Sequence, residues 1–80
     1  MRSVSPMVTQ RELEKQFSGI IDLRTSKNLM QLGVVKDIDI HDDNKRVYVV
    51  LKHHDEMEYF EGRVRDIIKG YGYEPEIEIE

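Results

Sequence analysis

Residues 34–53 read VVKDIDIHDDNKRVYVVLKH, and the spacing of their apolar side chains decides the fold. Ile38 and Ile40 alternate with acidic residues in the first half of this stretch. In the second half, VYVVL at 47–51 places apolar side chains at every second position. Because successive side chains of a strand point to opposite faces of a sheet, each half predicts a strand with one buried face. The stretch therefore predicts a β-hairpin.

A two-residue turn at Asp43-Asn44 gives this hairpin a register that agrees with its apolar pattern. Aspartate and asparagine both tolerate the positive φ that such a turn requires. The predicted pairs across the hairpin are Ile40–Val47 and Ile38–Val49. Both pairs then lie on one face of the sheet, which supports the register.

The segment before the hairpin begins with an amphipathic helix, expected over residues 9–21. Thr9 is a suitable N-cap, and Glu12 three places later completes a capping box. Val8 and Leu13 occupy the two positions of a hydrophobic staple. Residues 22–28 show no period and are expected to form a loop.

A second amphipathic helix is predicted over residues 55–69, with Asp55 as N-cap and Glu58 as its capping-box partner. Gly62 inside this helix suggests a close contact with another element, and Gly70 is expected to provide a left-handed cap at the end. The predicted apolar face consists of Met57, Phe60, Val64, Ile67, Ile68 and Tyr71.

After the helix, PEIEIE at 75–80 predicts a third strand with Ile77 and Ile79 facing inward. The order α-β-β-α-β indicates an α+β fold, a two-layer α/β sandwich whose three-stranded sheet has two helices on one face. Residues 1–8 are expected to be a flexible N-terminal tail, and residues 9–80 a single α/β domain. The position of the third strand in the sheet stays open.

Composition restricts the function classes. The chain has 80 residues, a formal net charge of −4 and no cysteine. A negative balance disfavours nucleic acid and anionic membranes as partners. No apolar run reaches the length of about 20 residues that spans a bilayer, and residues 1–8 lack the apolar core of a signal peptide. These features lead us to expect a cytoplasmic protein.

One stretch is similar to a known family. Residues 22–40, DLRTSKNLMQLGVVKDIDI, align without a gap to a motif of the MIP18 family, formerly DUF59, which occurs in iron–sulfur assembly factors. VYVVL at 47–51 and YGYEPEIEI at 71–79 also resemble that family's later strands. The positions that match in the first motif are Asp22, Asn28, Leu32, Gly33, Val35, Asp37, Ile38 and Ile40.

The departures from the family pattern limit what the resemblance implies. Asp22-Leu23-Arg24 stands where the family has D-P-E, and Gln31 replaces an aspartate. The family's T-x-x-x-C-P signature is replaced by HHDEMEYF at 53–60. Because the cysteine has no counterpart, chemistry that uses its thiolate is not carried over. The resemblance then implies a non-catalytic scaffold or adaptor, whose protein partner is a scaffold ATPase or a metal-assembly factor; a homodimer stays open.

His53, His54 and Asp55 form the candidate metal site, since zinc and iron accept imidazole and carboxylate ligands. Adjacent residues of a strand point to opposite faces, however, so the two histidines are expected to diverge. The alternative interpretation makes His53 the end of the strand, His54 part of the turn, and Asp55 a helix cap.

The outer face of the sheet is the candidate protein-binding surface, because an aromatic residue among charges suits an interface. The predicted members of this face are Asp37, Asp39, Arg46, Tyr48 and Lys52. His41 and some of the C-terminal glutamates are expected on the same face.

We find no serine–histidine–acid spacing and no glycine-rich phosphate loop, so neither an enzyme nor a cofactor is predicted. A small enzyme or regulatory domain is the remaining alternative.

Overall fold

The structure is a computed structural model, and it describes residues 8–80. The predicted tail over residues 1–8 lies outside this range except for Val8, which is buried. The helices and strands in chain order are α1 (Gln10–Phe17), β1 (Ile21–Asp22), β2 (Lys27–Asn28), α2 (Leu29–Leu32), β3 (Val35–His41), β4 (Arg46–Leu51), α3 (Met57–Gly70) and β5 (Glu74–Ile79).

The main sheet has three strands in the order β3-β4-β5. β3 pairs with β4 in antiparallel orientation, and β5 pairs with β4 in parallel orientation. The α+β class is confirmed, and so is the hairpin register, with Ile40 opposite Val47 and Ile38 opposite Val49. The third strand, whose place the sequence left open, lies along the free side of β4.

The hairpin turn differs from the prediction. The ladder ends at the pair His41–Arg46, and residues 42–45 form a four-residue turn. Positive φ occurs at Lys45, at 56°, and not at Asp43-Asn44. The Lys45 carbonyl accepts a hydrogen bond of 2.8 Å from the Glu74 amide. The longer turn therefore also anchors the first residue of β5.

The core lies between the inner face of this sheet and the two longer helices. Val47, Val49 and Leu51 of β4 are at most 1% exposed. The α3 residues that meet the core are Met57, Phe60, Val64 and Ile68, all from the predicted apolar face. From α1 the core receives Leu13 and Phe17. Burial of these side chains is the main stabilising contribution to the fold.

α1 begins as predicted and ends earlier. Thr9 is the N-cap, and both hydrogen bonds of the capping box with Glu12 are present. The helix ends at Phe17 rather than near residue 21. The Ser18 hydroxyl donates to the Glu14 carbonyl at 2.9 Å, and Gly19, a poor helix former, follows. Ile20 is still buried, because the chain turns back toward the core after the helix.

The prediction of a loop over residues 22–28 is wrong. These residues belong to a compact β1–β2 hairpin, which α2 follows. Asp22 is buried, and its carboxylate accepts hydrogen bonds from the Arg24 amide at 3.0 Å and the Thr25 hydroxyl at 3.3 Å. Asn28 caps α2 in a capping box with Gln31. Short side chain-to-backbone bonds of this kind leave no periodic apolar pattern, which is why the sequence did not indicate these elements.

α3 begins two residues later than predicted. The proposed capping box of Asp55 and Glu58 is wrong, because Glu56 is the N-cap and makes no side-chain capping bond. The left-handed residue after the helix is Gly72, with φ of 87°, and not Gly70. Gly62 is exposed, and a Cβ there would meet nothing within 4 Å. The close contact that we expected at Gly62 is therefore wrong.

Candidate protein-interaction site

The outer face of the main sheet is a grid of three rows, in which each β4 residue lies between one β3 and one β5 residue. The rows are Asp37–Val50–Glu78, Asp39–Tyr48–Glu76 and His41–Arg46–Glu74. The alternate positions Ile38, Val47 and Val49 are buried in the core, so the side chains of these rows face away from the helices. Ile79 near the end of β5, which we predicted to face inward, is 40% exposed. Carboxylates thus line both sides of a central column made of an arginine, a tyrosine and a valine.

Interactions within the face are local and exposed. Arg46 pairs with Glu76, and His41 Nε2 lies 2.9 Å from an Asp39 carboxylate oxygen. The His41 ring meets the Tyr48 ring edge to face, with centroids 4.9 Å apart. Tyr48 nevertheless remains 40% exposed. Since exposed ion pairs contribute little to stability, these contacts orient the side chains without closing the face.

The structure brings together four of the five predicted face residues: Asp37, Asp39, Arg46 and Tyr48. Lys52 is exposed just beyond the end of β4, where its amide donates to the Val34 carbonyl at 2.7 Å.

The acidic column of β5 completes the face. The sequence suggested that some C-terminal glutamates lie there, but their rows depend on the parallel pairing of β5 with β4. At the far end of the sheet, Lys36 and Glu80 form an ion pair of 3.1 Å across β4. That pair was missed because the register shift between Val35 and Asp37 interrupts the simple alternation.

The candidate metal ligands at the β4–α3 junction do not converge. His54 Nδ1 accepts a hydrogen bond of 3.2 Å from the Glu56 amide. The His54 ring packs against the Phe60 ring, with centroids 5.2 Å apart. Asp55 faces Arg24, at 3.6 Å, and His53 is exposed. Within residues 8–80, no group of three histidine, aspartate or glutamate side chains is placed to hold a metal ion. The metal site remains a prediction, and calorimetry with zinc and ferrous iron would test it.

A groove of about 230 Å³ opens beside this junction, between the β1–β2 hairpin and the first turn of α3. Leu23 is 90% exposed and Tyr59 is 50% exposed. No periodic pattern in the sequence indicates this groove, and the one available signal is Leu23, a large apolar residue in a polar segment. The lining residues are Ile21, Asp22, Leu23, Arg24, Glu56, Tyr59 and Phe60.

The other end of the hairpin contains a buried polar contact. Tyr73 is buried, and its hydroxyl donates a hydrogen bond to the Asp42 carboxylate. That hydrogen bond, together with burial, raises the pKa of Tyr73 above the ordinary value of 10.0. The Lys45 ammonium lies 5.0 Å from the centre of the same ring. This contact joins the hairpin turn to the residue that precedes β5.

A solved structure shares this architecture. The crystal structure of a domain of unknown function, DUF59, from Bacillus anthracis superposes with a TM-score of 0.74 and 14% sequence identity. The match covers 89% of this chain and 73% of the other. The chain therefore has the fold of a DUF59 domain, as the resemblance at residues 22–40 led us to expect.

No family model matches the chain, and no curated protein matches it. Among the helices of residues 8–80, none is long and apolar enough to cross a membrane.

Proposed function

We propose that this domain is a non-catalytic adaptor that binds a protein partner through the outer face of its three-stranded sheet. The main observation in support of the proposal is that helices bury one face of the sheet and leave the other face exposed to solvent. The inner face is buried by α1 and α3, whereas Tyr48 at the centre of the outer face stays 40% exposed. A tyrosine that is held in place by neighbours and still open to solvent suits an interface, because it buries a large area at a small entropic cost.

The charge of the face specifies the partner's chemistry. Its three rows contain five carboxylates and one guanidinium, and Arg46 is already paired with Glu76. A partner surface rich in lysine or arginine would neutralise the two acidic columns and speed association by electrostatic steering. Binding should therefore weaken as the salt concentration rises.

The fold and the motif at residues 22–40 support a finer assignment to the MIP18-type domains. On that assignment the partner is a metal-assembly factor, such as a scaffold ATPase, and an iron–sulfur cluster is its cargo. This chain has no cysteine to hold a cluster through a thiolate. We therefore assign it a role in bringing proteins together rather than in carrying the cluster.

Affinity capture from the source cell with paired variants tests the adaptor function. Tyr48→Thr combined with Glu78→Lys removes the aromatic centre and one carboxylate, while threonine retains a good strand propensity. Asp66→Lys makes the same charge change at an exposed position of α3 and is the matched control.

The wild type and the Asp66→Lys control should retain the same partner, and the double variant should lose it. The partner should also elute at about 0.5 M salt, where the Debye length falls to a few ångströms. Equal retention by all three proteins, or no specific partner for the wild type, would contradict the proposal.

A further inference from the structure

The groove beside the β4–α3 junction has a protruding residue on its own rim. Leu23 is 90% exposed, more than any other large apolar residue among those described. Directly beside it, Ile21, Tyr59 and Phe60 provide apolar walls. A knob and a hole of matching chemistry therefore lie side by side on one small patch.

The charged residues on the rim of the groove are also complementary to each other. Arg24 is on the hairpin side of the groove, and Asp55 and Glu56 are on the helix side, at 3.6 Å and 3.8 Å. These separations exceed the 2.7–2.9 Å typical of a charge-assisted hydrogen bond, and all three side chains are substantially exposed. Such pairs contribute little to stability, so Arg24 can exchange them for equivalent carboxylates on another molecule.

We propose that this patch is a two-fold contact between two copies of the chain. A two-fold interface uses the same surface of both molecules, so the surface must be complementary to itself. Here Leu23 of each copy enters the groove of the other, and Arg24 of each copy faces the acidic rim of the other. The second copy fits better than a foreign partner because the patch already contains both members of each complementary pair.

The size and charge of the patch set the strength of the contact. Stable interfaces bury about 1,200 Å² or more in total, and this patch exposes only a few large apolar side chains. Each copy also has a net charge of −4. We therefore expect a weak dimer that forms at high protein concentration and is strengthened by moderate salt, which screens the repulsion between copies.

Such a dimer leaves the outer sheet face free. None of the residues that line the groove belongs to β3, β4 or β5. The contact is thus independent of the adaptor function, and two acidic faces in one dimer would increase the avidity for a partner with two basic sites.

Site-specific cross-linking tests the contact, because the chain has no cysteine of its own. Leu23→Cys protein is mixed with Tyr59→Cys protein and treated with a short bismaleimide. The control mixture combines Leu23→Cys with Asp66→Cys, at a position on α3 that does not line the groove. The first mixture should give several-fold more cross-linked dimer than the control; equal yields would overturn the proposal.

Sedimentation velocity of the full chain provides the second readout. The wild type should show a concentration-dependent rise in sedimentation coefficient, and Leu23→Asp should weaken association by about tenfold or more, because the symmetric dimer loses the buried leucine contact of both copies. Because Leu23 is exposed, Leu23→Asp should leave the melting temperature unchanged, and this measurement verifies that the variant is folded. A wild type that stays monomeric, or a Leu23→Asp variant that associates equally well, would overturn the proposal.

Discussion

The two faces of β4 differ in what holds their side chains. Val47, Val49 and Leu51 point inward and are at most 1% exposed. Arg46 and Tyr48 alternate with them and point outward, where Arg46 pairs with Glu76 of β5 and Tyr48 meets the His41 ring of β3. The inner residues are fixed by close packing, whereas the outer ones are held by exposed contacts between strands, and the proposed adaptor function assigns these outer residues to partner binding.

This comparison separates stability from binding along a single strand. A substitution on the inner side removes apolar contacts and leaves a cavity, so its effect on the free energy of unfolding should be large. A substitution on the outer side removes contacts that solvent largely replaces, so its effect should appear in partner binding.

Phe60→Ala should have the largest effect on stability. Phe60 is fully buried in the core, and truncating a buried phenylalanine costs about 3–5 kcal/mol. Its neighbour Tyr59 is 50% exposed, and Tyr59→Ala should change stability by about 0.5 kcal/mol. Urea denaturation of both variants would measure the difference, and equal midpoints would show that α3 does not present the face described.

Val49→Ala should have the next largest effect, at about 1–3 kcal/mol, because it deletes two buried methyl groups from the centre of the sheet. Tyr48→Thr, one residue away on the outer face, should stay within about 0.5 kcal/mol of the wild type. Thermal unfolding followed by circular dichroism would compare the two. A larger loss for Tyr48→Thr than for Val49→Ala would reverse the assignment of the faces.

Tyr73→Phe should cost about 1 kcal/mol, through loss of the hydrogen bond to Asp42. The pKa of Tyr73 is raised above 10.0 in the folded state. Its contribution to the free energy of unfolding is therefore fully present below pH 10.0 and is lost as the pH rises through the folded-state pKa. Over about pH 8 to pH 11, a range that includes the ordinary tyrosine pKa, the free energy of unfolding should fall more steeply for the wild type than for the variant. Parallel curves would contradict this origin of the alkaline slope.

Gly62→Ala should have the smallest effect, and it should be stabilising. Gly62 lies inside α3, is exposed, and has room for a Cβ. Alanine should therefore increase the free energy of unfolding by about 0.5–1 kcal/mol through helix propensity alone. A decrease in the melting temperature would indicate a contact at Gly62 and would weaken the description of this side of α3 as open.

The parts of the fold that the sequence predicted correctly have a regular apolar period. Ile38, Val47 and Val49 specify the hairpin register, since a shift by one residue would expose all of them. Thr9 and Glu12 likewise predict the start of α1, because a capping box is a local interaction between residues three apart.

The parts that were missed depend on contacts distant in sequence or on irregular turns. Asp55 has good capping chemistry, but the chain enters α3 later, and Asp55 faces Arg24 of a distant hairpin instead. The predicted site shows the same limit. Asp39 and Tyr48 were placed by alternation within one hairpin, whereas Glu76 joins them only through the parallel pairing of β5.

The periodic patterns of the sequence could not predict the groove at Leu23. Its walls come from the β1–β2 hairpin and from the exposed side of α3, and no short-range pattern connects the two. Only the tertiary packing of the hairpin against α3 places Leu23 and Tyr59 together.

The most direct test of the account is an NMR titration of the isotope-labelled domain with its captured partner. We expect saturable shift changes at the amides of Arg46, Tyr48 and Glu76, and we expect Tyr48→Thr combined with Glu78→Lys to abolish them while the fold is retained. Shift changes confined to α1 and α3, with the outer sheet face unaffected, would contradict the assignment of that face as the binding surface.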